Sequence, residues 1–326
     1  MNTQLTEMLG IKYPIIMAPM FLVSNTKMVK SAVNSGITGA IPALNYRTIS
    51  ELELALKELK EANCKPFGIN LIVNKSNIKF KEQLRVCVEN EVDYIITSLG
   101  SPKPVIDACK TKGIKVFCDV VDIKYAKKVE ELGADAVIAV NSDAGGHSGP
   151  SKAKNLIPEL VSECNIPVIS AGGIGDGKGI QEMLDLGACG LSMGTIFIAC
   201  EEADISQDYK QAIVDHGEKD IVLTTKLSGT PCTVINTPFV QKIGTKESWL
   251  EWILNKNKKI KKYAKMAIAY KGMKLLEKSA FKASYKNMWC AGPSCEYVDD
   301  IKPVSGIVES LVGGLKEFNQ PEMEIS

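Results

Sequence analysis

The chain has 326 residues, with 39 Lys or Arg against 38 Asp or Glu. It therefore carries no overall field for gripping nucleic acid or an anionic membrane surface. Apolar residues make up 45% and charged residues 24%, a balance that excludes a disordered or collagen-like chain. At about 150 residues per domain the length admits two domains, or one α/β barrel of roughly 250 residues with an appendage.

No apolar run approaches the ~20 residues of a membrane span. The start, Met1 to Gly10, lacks the basic-then-apolar order of a signal peptide. The ten cysteines show neither CxxC pairs nor zinc-like spacing. Together these features predict reduced, buried thiols and a cytoplasmic location.

Eight short β-rich runs follow one another, at 14–18, 39–41, 67–70, 94–97, 116–120, 136–140, 168–171 and 190–193. Amphipathic or charged stretches lie between them, among them 50–62, 81–89, 123–132 and 177–186. Strands alternating with helical patterns predict βαβ units and a parallel sheet. Gly113, Gly133 and Gly187 each stand between a helical stretch and the next strand, where a helix C-cap turns through positive φ. Eight units at spacings of about 20 to 32 residues predict a (β/α)8 TIM barrel over residues 1–199. A doubly wound sheet fits less well, because no dinucleotide fingerprint follows the first strand.

After the eighth run the rhythm breaks. Residues 200–291 read as a mainly helical, polar cap with an extended patch at 221–234. Lys256, Lys258, Lys259, Lys261, Lys262 and Lys265 read as a solvated helix face or as a docking surface for an acidic partner. Residues 292–326 read as a return to the barrel, with a last helix over 303–315.

In a barrel, functional groups collect just after the strand C-termini. Three successive loops there are glycine-rich: Asp143-Ala144-Gly145-Gly146-His147-Ser148-Gly149-Pro150, then Ala171-Gly172-Gly173-Ile174-Gly175-Asp176-Gly177, then Met193-Gly194-Thr195. Glycine lets the backbone approach a ligand and point N–H groups at an anion. A helix N-terminus behind the loop adds partial positive charge, and the last two loops are where barrels commonly hold phosphate. Tight turns alone would explain one such loop; three in succession point to an anion site. Gly172 to Lys178 spells GxxxxGK, but Gly179 follows where a phosphate-loop NTPase needs Ser or Thr.

The chain has two histidines. His216, in Asp215-His216-Gly217, reads as a helix-end cap. His147 sits in the first glycine loop, and a group titrating near neutrality suits proton transfer. No Ser–His–Asp order or Cys–His pairing is legible, and two histidines without clustered carboxylates argue against a catalytic zinc.

Residues 143–149 (DAGGHSG), 169–177 (ISAGGIGDG) and 186–197 (LGACGLSMGTIF) resemble the nitronate monooxygenases, once called 2-nitropropane dioxygenases. So do residues 5–20 (LTEMLGIKYPIIMAPM), 65–71 (KPFGINL) and 289–294 (WCAGPS). The likeness is good over about the first 200 residues and looser in the cap. Flavin-dependent enoyl-acyl-carrier-protein reductases and some NADH:quinone reductases share the scaffold. The resemblance implies noncovalent FMN at the strand C-termini. Ala18, Pro19 and Met20 would line the isoalloxazine, with Asn70 near its polar edge. Gly145, Gly146, Ala171, Gly172, Gly173, Met193, Gly194 and Thr195 would hold the phosphate and ribityl tail. His147 matches the histidine placed over the flavin. It would bind the nitro group of an alkyl nitronate, or act as base on a neutral nitroalkane, with O2 as co-substrate and a carbonyl compound and nitrite as products.

Four positions depart from the family pattern. Met17 stands where relatives usually carry Gln. Asp119 stands where some quinone reductases have Lys, and a negative charge there suits the flavin's electron-rich pyrimidine edge poorly. Thr230 replaces the first Arg of an SGRPAR-type stretch, and Pro293 replaces a Gln. The alternative activity on this scaffold is NAD(P)H-driven reduction of enoyl thioesters or quinones, for which the lysine-rich cap would suit an acyl carrier protein. A flavin- or phosphate-binding protein without turnover is a third reading. A nucleotide dehydrogenase of related type needs a nucleophilic Cys within 141–149, and none is there.

Overall fold

The computed structural model describes residues 1–75, 77–227, 230–245, 272–281 and 287–318. Eight parallel strands close a barrel: β1 Ile15–Met17, β2 Thr38–Pro42, β3 Phe67–Ile72, β4 Tyr94–Ser98, β5 Lys115–Val120, β6 Ala136–Val140, β8 Val168–Ala171 and β9 Gly190–Met193. Each coincides with one of the eight runs. The pairing of β1 with β9 closes the cylinder. Side chains alternate across its wall with the period of two that a strand imposes. Ile16, Ala40, Tyr94, Ile96, Phe117, Ile138, Ile169 and Ala171 fill the interior. Met17, Ile41, Ile69, Ile95, Cys118, Val137 and Met193 face the surrounding helices.

The interior is packed rather than hollow. The Tyr94 ring stacks on Phe117 with centroids 5.2 Å apart, and its hydroxyl lies 3.1 Å from that of Thr38. Gly68 makes room for it, since a Cβ there would stand 2.1 Å from the Tyr94 ring. The helix Gln4–Leu9 stoppers the lower end, with Leu5 fully buried among the interior residues.

The helical stretches become helices at Ile49–Glu61, Phe80–Glu89, Ile123–Glu131 and Gly177–Asp185. Gly113, Gly133 and Gly187 take φ of 70°, 94° and 97° at the joints, as the C-cap reading requires. All ten cysteines are free thiols. No described helix is long and apolar enough to cross a membrane.

The extended patch in the cap is a hairpin of β10 Ile221–Thr224 and β11 Cys232–Ile235. Its third strand is β7, Gly146–His147, which pairs antiparallel with β11. The loop expected around His147 is thus partly strand. The partner lies more than eighty residues away, so no local pattern could signal it. The cap lysines from Lys256 to Lys265 lie outside the described residues. The last helix, Val304–Phe318, packs against Gly177–Asp185 and Thr26–Asn34. Those are the helices that follow β8 and β1, so it takes the place of the eighth barrel helix.

Candidate active site

Asn141, just past β6, is completely buried and joins two of the glycine loops. Its backbone N–H donates to the Ala171 carbonyl at 3.0 Å. Its Nδ2 donates to the Gly172 carbonyl at 3.0 Å, and its Oδ1 accepts from the Asp143 N–H at 2.8 Å. Its carbonyl accepts from the Gly149 N–H at 3.1 Å. Gly172 has φ 115°, and a Cβ there would stand 2.5 Å from both Ala144 N and Asn141 Oδ1. Only glycine tolerates that conformation and that proximity together. Asn141 belongs to no motif in the sequence; its place at a strand end before a glycine loop is its one local signal.

The N–H groups of Gly172, Gly173 and Gly194 donate to no other described residue. More than nine in ten buried backbone N–H groups find a partner. Three unspent donors on adjacent strand ends, in half-buried loops, therefore form a cradle suited to an anion such as a terminal phosphate. The other glycines do different work. Gly145 packs against Thr195, whose Oγ1 accepts the Gly292 N–H at 2.9 Å. Gly175 makes room for the Tyr297 ring and Gly177 for the backbone at Gly314 and Leu315. Gly146, in β7, has φ 78° and open space where a Cβ would point.

The wall beside the cradle is continuous. The Ala18 N–H donates to the Met193 carbonyl at 2.8 Å, and the Met20 N–H to Ser24 Oγ at 2.8 Å. A Cβ on Gly194 would lie 3.5 Å from Met20 Sδ and 3.6 Å from Ala18 Cβ, so the three share one surface. Two side chains expected to matter here point elsewhere. Met193 offers the site only its backbone, because its side chain packs outside the barrel wall. Met17 does the same, against Gly39, so its departure from the family pattern falls in the outer core.

On the opposite wall, Asn70 Nδ2 donates to the Ile96 carbonyl at 3.2 Å and to Ser98 Oγ at 2.8 Å. Ser98 Oγ in turn donates to Asp119 Oδ2. Burial pushes the Asp119 carboxyl up to about 6, with the Ser98 hydrogen bond opposing in part. Ser98 was not singled out in the sequence; the inward register of 94, 96 and 98 was its only signal.

His147 stands on β7 opposite Cys232. The residue is solvent-accessible, yet the protein around it strips hydration from the imidazolium and holds the pKa below the ordinary histidine value. The neutral ring therefore prevails at neutral pH. Thr233 Oγ1 donates to the Ala144 carbonyl at 2.6 Å and ties this loop to the hairpin. A cavity of about 350 Å³ opens alongside, lined by Asp143, Ser148, Glu218, Val222 and Thr233. His216, by contrast, holds Nδ1 2.8 Å from the Ala212 carbonyl at the end of helix Gln207–Asp215, a capping position. Burial raises the thiols Cys189 and Cys200 to about 12, which makes them poor nucleophiles.

The sequence profile of the nitronate monooxygenase family matches residues 2–79 and 75–314. A probable nitronate monooxygenase of Staphylococcus saprophyticus is 30% identical over 288 residues, covering 74% of this chain and 81% of the relative. A (3aS,4S,5R,7aS)-5-hydroxy-7a-methyl-1-oxo-octahydro-1H-indene-4-carboxyl-CoA dehydrogenase of Rhodococcus jostii is 32% identical over 243 residues, covering 74% and 68%. Among solved structures, FabK of Thermotoga maritima superposes with a TM-score of 0.85 at 30% identity, over 98% of this chain and 97% of that one. The nitroalkane oxidase of Streptomyces ansochromogenes, at 22% identity and a TM-score of 0.78, shares the fold. The profile spans nearly the whole barrel, both glycine loops of the cradle and the returning C-terminal helix, and this chain is an oxidoreductase of the nitronate monooxygenase family.

Proposed function

We propose that the protein is an FMN-dependent nitronate monooxygenase that oxidises alkyl nitronates with O2 to carbonyl compounds and nitrite. The observation that carries this reading is the cradle of unspent N–H groups at Gly172, Gly173 and Gly194, with His147 on the neighbouring loop. The cradle would take the FMN phosphate. Ala18, Pro19 and Met20 would lie along the ring, with Asn70 at its polar edge and Gly145, Gly146, Ala171, Met193 and Thr195 around the tail. FMN, when bound, supplies the electron acceptor.

The protein's own work is to orient the substrate and handle its proton. A neutral imidazole at His147 can donate an N–H to a nitronate oxygen, and its other nitrogen can accept the α-proton of a neutral nitroalkane. The bond from Thr233 to the Ala144 carbonyl holds the loop that carries it.

A second reading, reduction or dehydrogenation of acyl thioesters, is favoured by the full-length likeness to FabK and by the CoA substrate in the name of the Rhodococcus relative. NAD(P)H or an acyl carrier protein would then be the partner. Anaerobic mixing separates the two. Bleaching of the flavin by a nitronate, with no bleaching by NAD(P)H, supports the monooxygenase; bleaching by NAD(P)H alone supports the reductase.

A further inference from the structure

Asp119 is the penultimate residue of β5, with its side chain turned into the barrel mouth. Phe117, two residues earlier, is an interior residue, and Cys118 between them faces outward. We propose that Asp119 is a positioning residue that takes part in flavin binding as a neutral acid, so that uptake of FMN is coupled to uptake of a proton. The inference rests on the FMN reading given above.

Among the described residues, the hydrogen bonds assign every side-chain donor in this corner. Asn70 spends both amide hydrogens, on the Ile96 carbonyl and on Ser98 Oγ. Its Oδ1 is left as a fixed acceptor. Ser98 has a single hydrogen and gives it to Asp119 Oδ2. The relay therefore runs one way, from Asn70 through Ser98 to Asp119, and leaves the second carboxyl oxygen for a ligand. A flavin's pyrimidine edge carries one N–H between two carbonyl oxygens. Asn70 Oδ1 matches the N–H. An ionised Asp119 would set a negative charge against the carbonyl oxygens, whereas a protonated one would offer them a donor.

Among the described residues, no charged group on the neighbouring elements compensates a charge at Asp119. From β4 the interior receives Tyr94, Ile96 and Ser98, and from β6 Ala136, Ile138 and Val140. None of these is charged at neutral pH. Lys115, on β5 itself, sits at the far end of the strand and pairs with Asp135 at 3.0 Å. The helices packed on β5, Lys103–Cys109 and Ile123–Glu131, lie on its outer face. There Lys103 pairs with Asp107. Burial already lifts the Asp119 carboxyl to about 6 without a ligand, so a ligand that excludes water and brings carbonyl oxygens would raise it further.

The test is equilibrium release of flavin from diluted holoprotein, read by flavin fluorescence between pH 5 and 8. The phosphate's second ionisation also falls near pH 6, so riboflavin is run beside FMN. In the wild type the riboflavin dissociation constant is expected to be flat below pH 6 and to rise by up to about tenfold per pH unit above it. Asp119→Asn keeps an acceptor for Ser98 and supplies a permanent N–H donor, so its riboflavin affinity should be flat from pH 6 to 8. A merely structural Asp119 would shift affinity equally at every pH. Calorimetry of binding to wild type in two buffers of different ionisation enthalpy reports the proton directly, should the variant not fold. A flat wild-type profile, a slope of opposite sign, or a slope that survives in Asp119→Asn overturns the inference and leaves the FMN reading standing. Failure of flavin to bind at any pH overturns both.

Discussion

A carboxyl group raised by burial costs the folded protein stability at neutral pH, and the sign can be worked out for Asp119. Its folded value of about 6 lies above the ~3.9 of an unfolded chain. The folded state thus holds the proton more tightly. The stabilisation is fully present below pH 4 and is lost as pH rises through 6. Asp119→Asn removes that loss. In flavin-free protein it should be more stable than wild type at pH 7.5 by about 1–2 kcal/mol, with the gain gone near pH 4. Urea unfolding at the two pH values checks this. The glycines give a paired contrast at the same scale. Gly172→Ala puts a Cβ 2.5 Å from two fixed atoms at φ 115° and should cost roughly 2–4 kcal/mol of stability. Gly194 has φ −116° and would meet only contacts of 3.5 Å or more. Gly194→Ala should melt like wild type and weaken flavin retention alone. His147→Ala should keep both fold and flavin, because the cradle is backbone, while turnover falls by roughly 10²–10⁴-fold. A steady-state assay beside an absorption spectrum separates those outcomes.

Whole elements were legible where a local rule sets them. The barrel strands, covered on both faces, read as short continuous apolar runs, and the helix-to-strand joints carry glycines whose positive φ follows from the cap itself. Elements set by distant partners were not legible. The pair Gly146–His147 becomes a strand because β11 lies beside it, and nothing in two residues announces that. The candidate site divides in the same way. The glycine loops stand out by composition, whereas Asn141 and Ser98 act through bonds to other strands and leave only a positional signal, a strand end and an inward register. Composition also overstated what the loop 171–177 contributes, since Gly175 and Gly177 serve packing. That last point is testable on the C-terminal helix. A Cβ at Gly177 would stand 2.3 Å from Leu315 N and 2.4 Å from the Gly314 carbonyl carbon, with backbone on both sides and no room to yield. Gly177→Val should dislodge the helix Val304–Phe318 and lower stability by more than about 3 kcal/mol, read as a lower thermal midpoint and new protease cleavage near residue 303.

At the scale of the molecule, the chain leaves the barrel after β9, forms the cap and comes back to the same strand end. Thr195 sits on the outward path and Gly292 on the return, and the bond from the Gly292 N–H to Thr195 Oγ1 at 2.9 Å joins them. Trp289, just before the return, stacks on Tyr209 at 5.6 Å and donates Nε1–H to the Ser279 carbonyl at 2.9 Å. The Tyr209 hydroxyl donates to the Cys290 carbonyl at 2.6 Å. Gly145 is held in the same contact, so the latch also sets the height of the loop that leads to His147. Thr195→Val keeps the shape of the side chain and removes the acceptor. The buried Gly292 N–H then lacks a partner, a loss of about 1–3 kcal/mol. Thr195→Ser restores the acceptor and should recover most of that stability. The loop beside the cradle loosens with the latch, so Thr195→Val should also weaken FMN binding, and Thr195→Ser should recover that too. Thermal melts and flavin release measured on the three proteins decide it. Wild-type stability in Thr195→Val would mean that the other contacts of the returning segment, the Trp289 cluster among them, hold it without this bond.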